Sequence, residues 1–285
     1  MGDPQVIIKL STIAGRIWKA AKDDNLTLVS AGVAFFFLLS IFPVLAAIVL
    51  IYGLVADPTQ LQADSTMAEI LPAAAAKALQ EQIEQISETG KFAGFGIFIS
   101  ILIALWSGSK GSLAMIKALN IAFGEEETRS YPQVYLIALA FTVGTVFMVL
   151  VSLGLLIVLP QILNAMEARQ FTSVVMELAR WGLLATSFII ALACFLRFGP
   201  DRKAPEWKWV SAGTITATAL WLLASFLLAF FLQNFGGFSN TFGAFGSVVF
   251  FLLWLHLTAF LALLGAELNV ALEEHQNPPG ESPGS

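Results

Sequence analysis

Only a few side chains in this sequence could carry chemistry, and each interrupts an apolar run. His256 and Glu267 stand in LLWLHLTAFLALLGAELNV, and their spacing is close to three turns of an α-helix, so both project to one side. An acid and an imidazole placed this way could pass a proton or anchor a neighbouring helix. The structural lock ranks ahead of the relay, because a lone histidine in such a run is more often a hydrogen-bonded helix contact than a ligand. A second chemistry is suggested by LWSGSKGSLAMIKALNIAF, residues 105–123, where small residues and a lysine break the run. Read as a helix break, this stretch makes Ser112 the cap of a following interfacial helix. The Gly residues then let backbone N–H groups approach a ligand beside Lys110, so that Ser109, Lys110, Gly111 and Ser112 define a candidate anion-binding helix start. The commoner alternative is a snorkelling lysine among small residues that permit helix contact, and the spacing of a phosphate-binding P-loop is absent. Ser211, Thr214, Thr218 and Ser225 form a small polar stripe within about 60° of one another on a helix. Packing against a neighbouring helix is its usual cause, and lining a solute path is the rarer one.

The elements holding these groups belong in a bilayer. Of the 285 residues, 57% are hydrophobic and 12% are charged, against roughly 25% charged in a soluble domain. The net charge of −5 and the lack of a dense Lys/Arg cluster argue against a nucleic-acid partner, whose phosphates would dominate affinity. The single cysteine, Cys194, allows no intrachain disulfide and reads as a small buried hydrophobe. Two isolated histidines cannot assemble a metal cluster, and no Ser/His/Asp or Cys/His spacing stands out. No catalytic residue, metal or cofactor is expected.

A crossing helix needs about 20 predominantly apolar residues, since no backbone group can stay unpaired in hydrocarbon. Six runs qualify as candidates: 28–56, 92–106, 134–159, 181–198, 209–232 and 245–271, the second being short. Pro43 marks an expected kink in the first, and Pro160 an expected stop of the third. Before them, Val6, Leu10, Ile13 and Ile17 fall at helical spacing while Lys9, Arg16, Lys19 and Lys22 project elsewhere, which predicts an amphipathic surface helix over 1–27 rather than a cleaved signal peptide. The fold class is therefore all-α, a polytopic membrane protein with a six-helix domain over 28–271 and a disordered tail over 272–285.

Orientation follows the positive side chains. Lys9, Arg16, Lys19, Lys22, Lys110, Lys117, Arg129, Arg197, Arg202, Lys203 and Lys208 fall on one side, against Lys77, Lys91, Arg169 and Arg180 on the other. Both termini are thus predicted cytoplasmic. Residues 57–91 then form an extracytoplasmic connection with an amphipathic helix over 73–88, and the uncharged QNFGGFSNTFGAFG reads as a short hairpin or pathway mouth. With this topology Lys110 and Glu267 reach similar depth, and an ion pair between them is expected.

Three stretches share a family pattern: AGVAFFFLLSIFPVL, then LWSGSKG with ALNIAFG and Arg129, then FGAFGSVVFFLLWLHLTAFLALLGAELNVAL. The chain resembles the YihY/BrkB family over residues 6–274. That resemblance implies a bacterial inner-membrane protein with six helices, and it matches Ser40 and Pro43 to the first motif and Glu267 and Asn269 to GAELN. Asn269 thereby joins Lys110, His256 and Glu267 as a candidate for a polar pathway or lock. The ribonuclease label once attached to the family needs clustered metal ligands, which this sequence does not offer. Three functions compete: a transporter or flippase of a small solute, anion or lipid, which leads; a membrane scaffold in envelope maintenance; and an enzyme, which comes last. The expected partners are membrane lipids and a small anionic solute or lipid head group.

Overall fold

The computed structural model of the chain describes residues 15–55, 93–165, 172–202, 211–234 and 237–276. The expected connection over 57–91 with its helix, the segment before residue 15, Lys203 and Lys208, and the tail beyond 276 lie outside the described residues. Among the described residues there are seven helices and no strand. Helix α1 covers residues 15–23; α2 is Leu26–Val55, α3 Ala93–Ala122, α4 Tyr131–Ala165, α5 Thr172–Phe198, α6 Ala212–Asn234 and α7 Gly237–Gln276. The last six are each long and apolar enough to cross a membrane.

The helix ends follow local chemistry. Asn25 adopts φ +50° between α1 and α2, a left-handed conformation that asparagine tolerates better than most residues. Gly124 adopts φ +65° after α3, with Glu125 N–H on the Asn120 carbonyl and Gly124 N–H on that of Ile121, which is the Schellman ending. At the start of α4, Gln133 Oε1 accepts from Ser130 N–H at 3.0 Å, half of a capping box. At the start of α6, Ser211 Oγ accepts from Thr214 N–H at 3.1 Å.

Four expectations about the spans are corrected. Helix α3 runs unbroken for 30 residues, so the second span is neither short nor interrupted at SGSKGS. Lipid offers no water to a broken backbone, so even a Gly/Ser-rich stretch closes its own hydrogen bonds. Helix α4 continues past Pro160 to Ala165. Helix α5 starts at Thr172, nine residues before the apolar run that marked it. Helix α7 starts at Gly237, so most of QNFGGFSNTFGAFG is helical rather than a turn.

Helix α2 packs on both α3 and α7, α7 packs on α6, and α4 and α5 complete the bundle with lighter contacts. The core joins Leu26 and Val33 of α2, Met115 and Leu119 of α3, Leu192 and Phe195 of α5, Ala217 of α6, and Leu263 and Ala266 of α7. Stacked rings tie in the outer helices, Phe141 on Phe195 with centroids 4.1 Å apart and Phe188 on Trp221 at 4.3 Å. Lipid tails are as apolar as leucine, so such assembly depends on close packing and interhelical hydrogen bonds. Those bonds are where the singled-out polar residues reappear.

Candidate functional site

The SGSKGS segment is helix interior, and this removes the helix-start anion site. Its backbone amides lie in the middle of α3 rather than in a free first turn, and Ser112 caps nothing. Instead Ser112 Oγ lies 3.0 Å from Thr142 Oγ1 of α4, and Ser109 Oγ donates to the Trp106 carbonyl at 2.7 Å. Gly108 and Gly111 face α2. A Cβ on Gly111 would meet Phe37 Cδ1 at 2.9 Å, and the Gly111 amide donates to Ser40 Oγ at 2.9 Å. The helix-contact alternative describes this segment.

The expected Lys110 to Glu267 ion pair is also absent. Lys110 is exposed on the outer side of α3, whereas Glu267 is 3% exposed within the bundle. Similar depth along two helices does not put side chains on facing sides. His256 Nδ1 lies 3.2 Å from Ser30 Oγ and so ties α7 to α2. Asn269 Oδ1 accepts from Gly213 N–H at 2.9 Å, which satisfies a first-turn amide of α6 from the neighbouring helix. Beside it, a Cβ on Gly265 would meet the Gly213 carbonyl oxygen at 2.8 Å and Ala217 Cβ at 2.9 Å. Glu267 lies between Gly265 and Asn269 in sequence, but helical spacing turns it to the opposite side of α7 from the face these two residues bring against α6.

The polar stripe on α6 is spent mostly on its own helix, with Ser225 meeting α7. Ser211 caps the helix and lies 2.9 Å from Thr214 Oγ1, Thr218 Oγ1 donates back to the Thr214 carbonyl, and Trp254 Nε1 donates to Ser225 Oγ at 3.2 Å. A further bond runs from Trp221 Nε1 to Thr258 Oγ1 at 3.0 Å. Among the described residues no group of three His, Cys, Asp or Glu side chains is placed to hold a metal ion.

A polar cluster that the sequence reading missed closes one end of the bundle. Arg129, in the connection from α3 to α4, donates from Nε to Glu127 Oε1 at 2.7 Å and from Nη2 to Glu127 Oε2 at 2.8 Å. The same Nη2 donates to the Gly199 carbonyl at 2.7 Å, beyond the end of α5. Asn120 of α3 donates to Glu127 Oε2 and accepts from Asp201 N–H at 2.8 Å. Asp201 Oδ2 accepts from both the amide and the hydroxyl of Thr128. Arg202 then reaches α7 through Glu273 at 2.6 Å, its guanidinium 4.7 Å from the Phe123 ring centre. The Arg129 guanidinium holds the Glu127 carboxyl below its usual range, and the Thr128 hydroxyl and amide do the same for Asp201. Both carboxylates are thus held charged, with their oxygens engaged by donors, so the cluster works as a clamp rather than as an acid or base. In the sequence Arg129 stands out only as a positive charge and part of a motif. Its partners lie 2 and about 70 positions away, a combination without a sequence signature.

Six apolar helices, hydroxyl ties between them and a charged clamp outside them define a multi-pass helical membrane protein. The family described as Virulence factor BrkB matches residues 17–284, and the chain belongs to that family. Its relatives include the "Putative ribonuclease-like protein YfkH" of Bacillus subtilis, 30% identical over 260 residues that cover 89% of this chain and 92% of that one. A "UPF0761 membrane protein" of Cronobacter sakazakii is 23% identical over 91% of this chain and 88% of its own length. Another from Idiomarina loihiensis is 22% identical over 73% and 71%. No solved structure matches the chain.

Proposed function

We propose that this chain is a transporter or flippase of a small solute, anion or lipid in a bacterial inner membrane, with both termini in the cytoplasm. The observation that carries this reading is Glu267, an ionisable side chain 3% exposed inside the helix bundle. A charge held at such a place is costly, and ionisable residues within membrane spans concentrate on ion and substrate paths. In this reading Glu267 changes its interactions inside the bundle as α7 moves during the cycle. The orientation rests on the uneven distribution of Lys and Arg between the two sides. The ribonuclease-like wording belongs to YfkH, and no residue arrangement among the described residues supports carrying it over.

The test is flux through purified protein in vesicles, with two probes: fluorescent phosphatidylglycerol, followed by dithionite bleaching of the outer leaflet, and radiolabelled phosphate. Movement of either above protein-free vesicles supports transport. Background rates for both would remove anion and anionic-lipid transport. The second reading, a non-catalytic scaffold, is favoured by one observation: Ser30, Ser40, Ser112, Ser225 and Thr258 all spend their hydroxyls on helix contacts. A scaffold would leave both probes unmoved while its loss weakens the cell envelope.

A further inference from the structure

The outer side of α3 carries a feature that neither the ties nor the clamp uses. Ile99, Ile103, Trp106, Lys110, Lys117 and Ile121 are all exposed, and helical geometry places them within an arc of about 60°. Neither lysine makes a hydrogen bond or an ion pair among the described residues. Beside this strip stands an aromatic group: Trp106 and Tyr135 have ring centroids 5.8 Å apart, Tyr135 and Tyr131 5.6 Å. Tyr135 also donates its hydroxyl to the Trp106 carbonyl at 3.1 Å, which fixes the first turn of α4 against this point of α3. Trp106 is 57% exposed and Tyr131 69% exposed. Clustered Trp and Tyr with an apolar body and a polar tip mark the boundary between hydrocarbon and head groups. Lys110 lies one turn beyond Trp106 on the same strip, and Lys117 two turns further, both at or past the middle of the apolar span, from which a long lysine side chain reaches towards the head groups.

We propose that this strip binds the head group of an anionic phospholipid, its phosphate between Lys110 and Lys117 and its glycerol and acyl region along Trp106, Tyr135 and Ile103. A lysine on an apolar helix face is expensive in contact with hydrocarbon and favourable against a phosphate at the surface. The chain as a whole carries a net charge of −5, so attraction to an anionic lipid must come from a local patch rather than from the protein's overall field. This site is separate from Glu267 and does not depend on the transport reading.

Native mass spectrometry of the full chain, with phosphatidylglycerol or phosphatidylcholine added in detergent, tests it. Wild-type protein should retain phosphatidylglycerol in preference to phosphatidylcholine. Lys110→Gln with Lys117→Gln should lower that retention on the order of twentyfold, about fivefold per charge near the surface, and Lys→Arg at both positions should restore it. Quenching of wild-type tryptophan fluorescence by dibrominated phosphatidylglycerol, minus that of Trp106→Phe, gives a second measure that needs no lysine variant. Trp106 should be quenched more strongly by the brominated anionic lipid than by the zwitterionic one. Equal retention by the double Gln variant, equal quenching by the two lipids, or release of the lipid by excess inorganic phosphate would each overturn the assignment, the last by showing a free-anion site.

Discussion

Two helix contacts in this protein use the same device and differ in how far they can give. Between α2 and α3, Gly111 admits the neighbouring helix and donates its amide to Ser40; between α6 and α7, Gly213 admits the neighbour and donates its amide to Asn269. At Gly111 and Gly108 a Cβ would press first on the side-chain atoms Phe37 Cδ1 at 2.9 Å and Val44 Cγ2 at 2.7 Å, the nearest backbone atom to the Gly111 Cβ being Phe37 Cα at 3.2 Å. At Gly213 it would press on the Gly265 carbonyl oxygen, and backbone cannot step aside. The amides differ as well. Gly213 is in the first turn of α6, where no carbonyl within the helix can take its proton, whereas Gly111 sits in the middle of α3. One contact is closed by backbone against backbone, and the other first by side chains.

Gly213→Ala should therefore be the most damaging of the conservative changes, at about 3 kcal/mol or more, because α6 and α7 must separate to accept it. The thermal transition of the purified protein in detergent reads this, and a transition like that of wild type would break the contrast. Asn269→Ala comes next, at about 1 to 3 kcal/mol, since it strands the Gly213 amide without an acceptor. Gly111→Ala should stay within about 1 kcal/mol of wild type, the displaced Phe37 being offset by the better helix propensity of alanine. Ser40→Ala should cost least of the four, about 0.6 kcal/mol, a typical value for one interhelical hydrogen bond in a membrane. If Ser40→Ala proves worse than Asn269→Ala, the position of the amide within its helix is not what sets the cost.

The charged clamp supplies a smaller effect, driven by pH. Glu127 and Asp201 have pKa values below the usual carboxylate range, so their stabilisation is fully present above that range and fades as pH falls through the lowered values. Acid should speed amide exchange in the connection over 123–130 before it touches the helix interior, and Glu127→Gln should flatten that dependence. The side chains of Glu127 and Asp201 are 28% and 19% exposed, so water screens part of the effect and it should be modest.

The six spans were legible because hydrocarbon demands long apolar runs, whereas the stripe of Ser211, Thr214, Thr218 and Ser225 was legible only as a shared helical face, not as which bonds it makes. The SGSKGS segment misled because its residues end helices in water, while in lipid an open backbone costs more than a few glycines. Lys110 and Glu267 misled because depth can be counted along a sequence and facing direction cannot. The clamp was hidden for a different reason: Asp201 meets Thr128 and Asn120 only after α4 and α5 have crossed and returned, and nothing local encodes that meeting.

Glu267→Gln separates function from packing most directly, because it keeps the side chain's size and removes its titratable carboxyl. Flux of the lipid or phosphate probe that wild-type protein moves should be measured per folded molecule, alongside the thermal transition of the same preparation. Transport through this bundle predicts flux falling to background while the transition stays near that of wild type. A lowered transition with undiminished flux would contradict it and leave Glu267 as a helix lock.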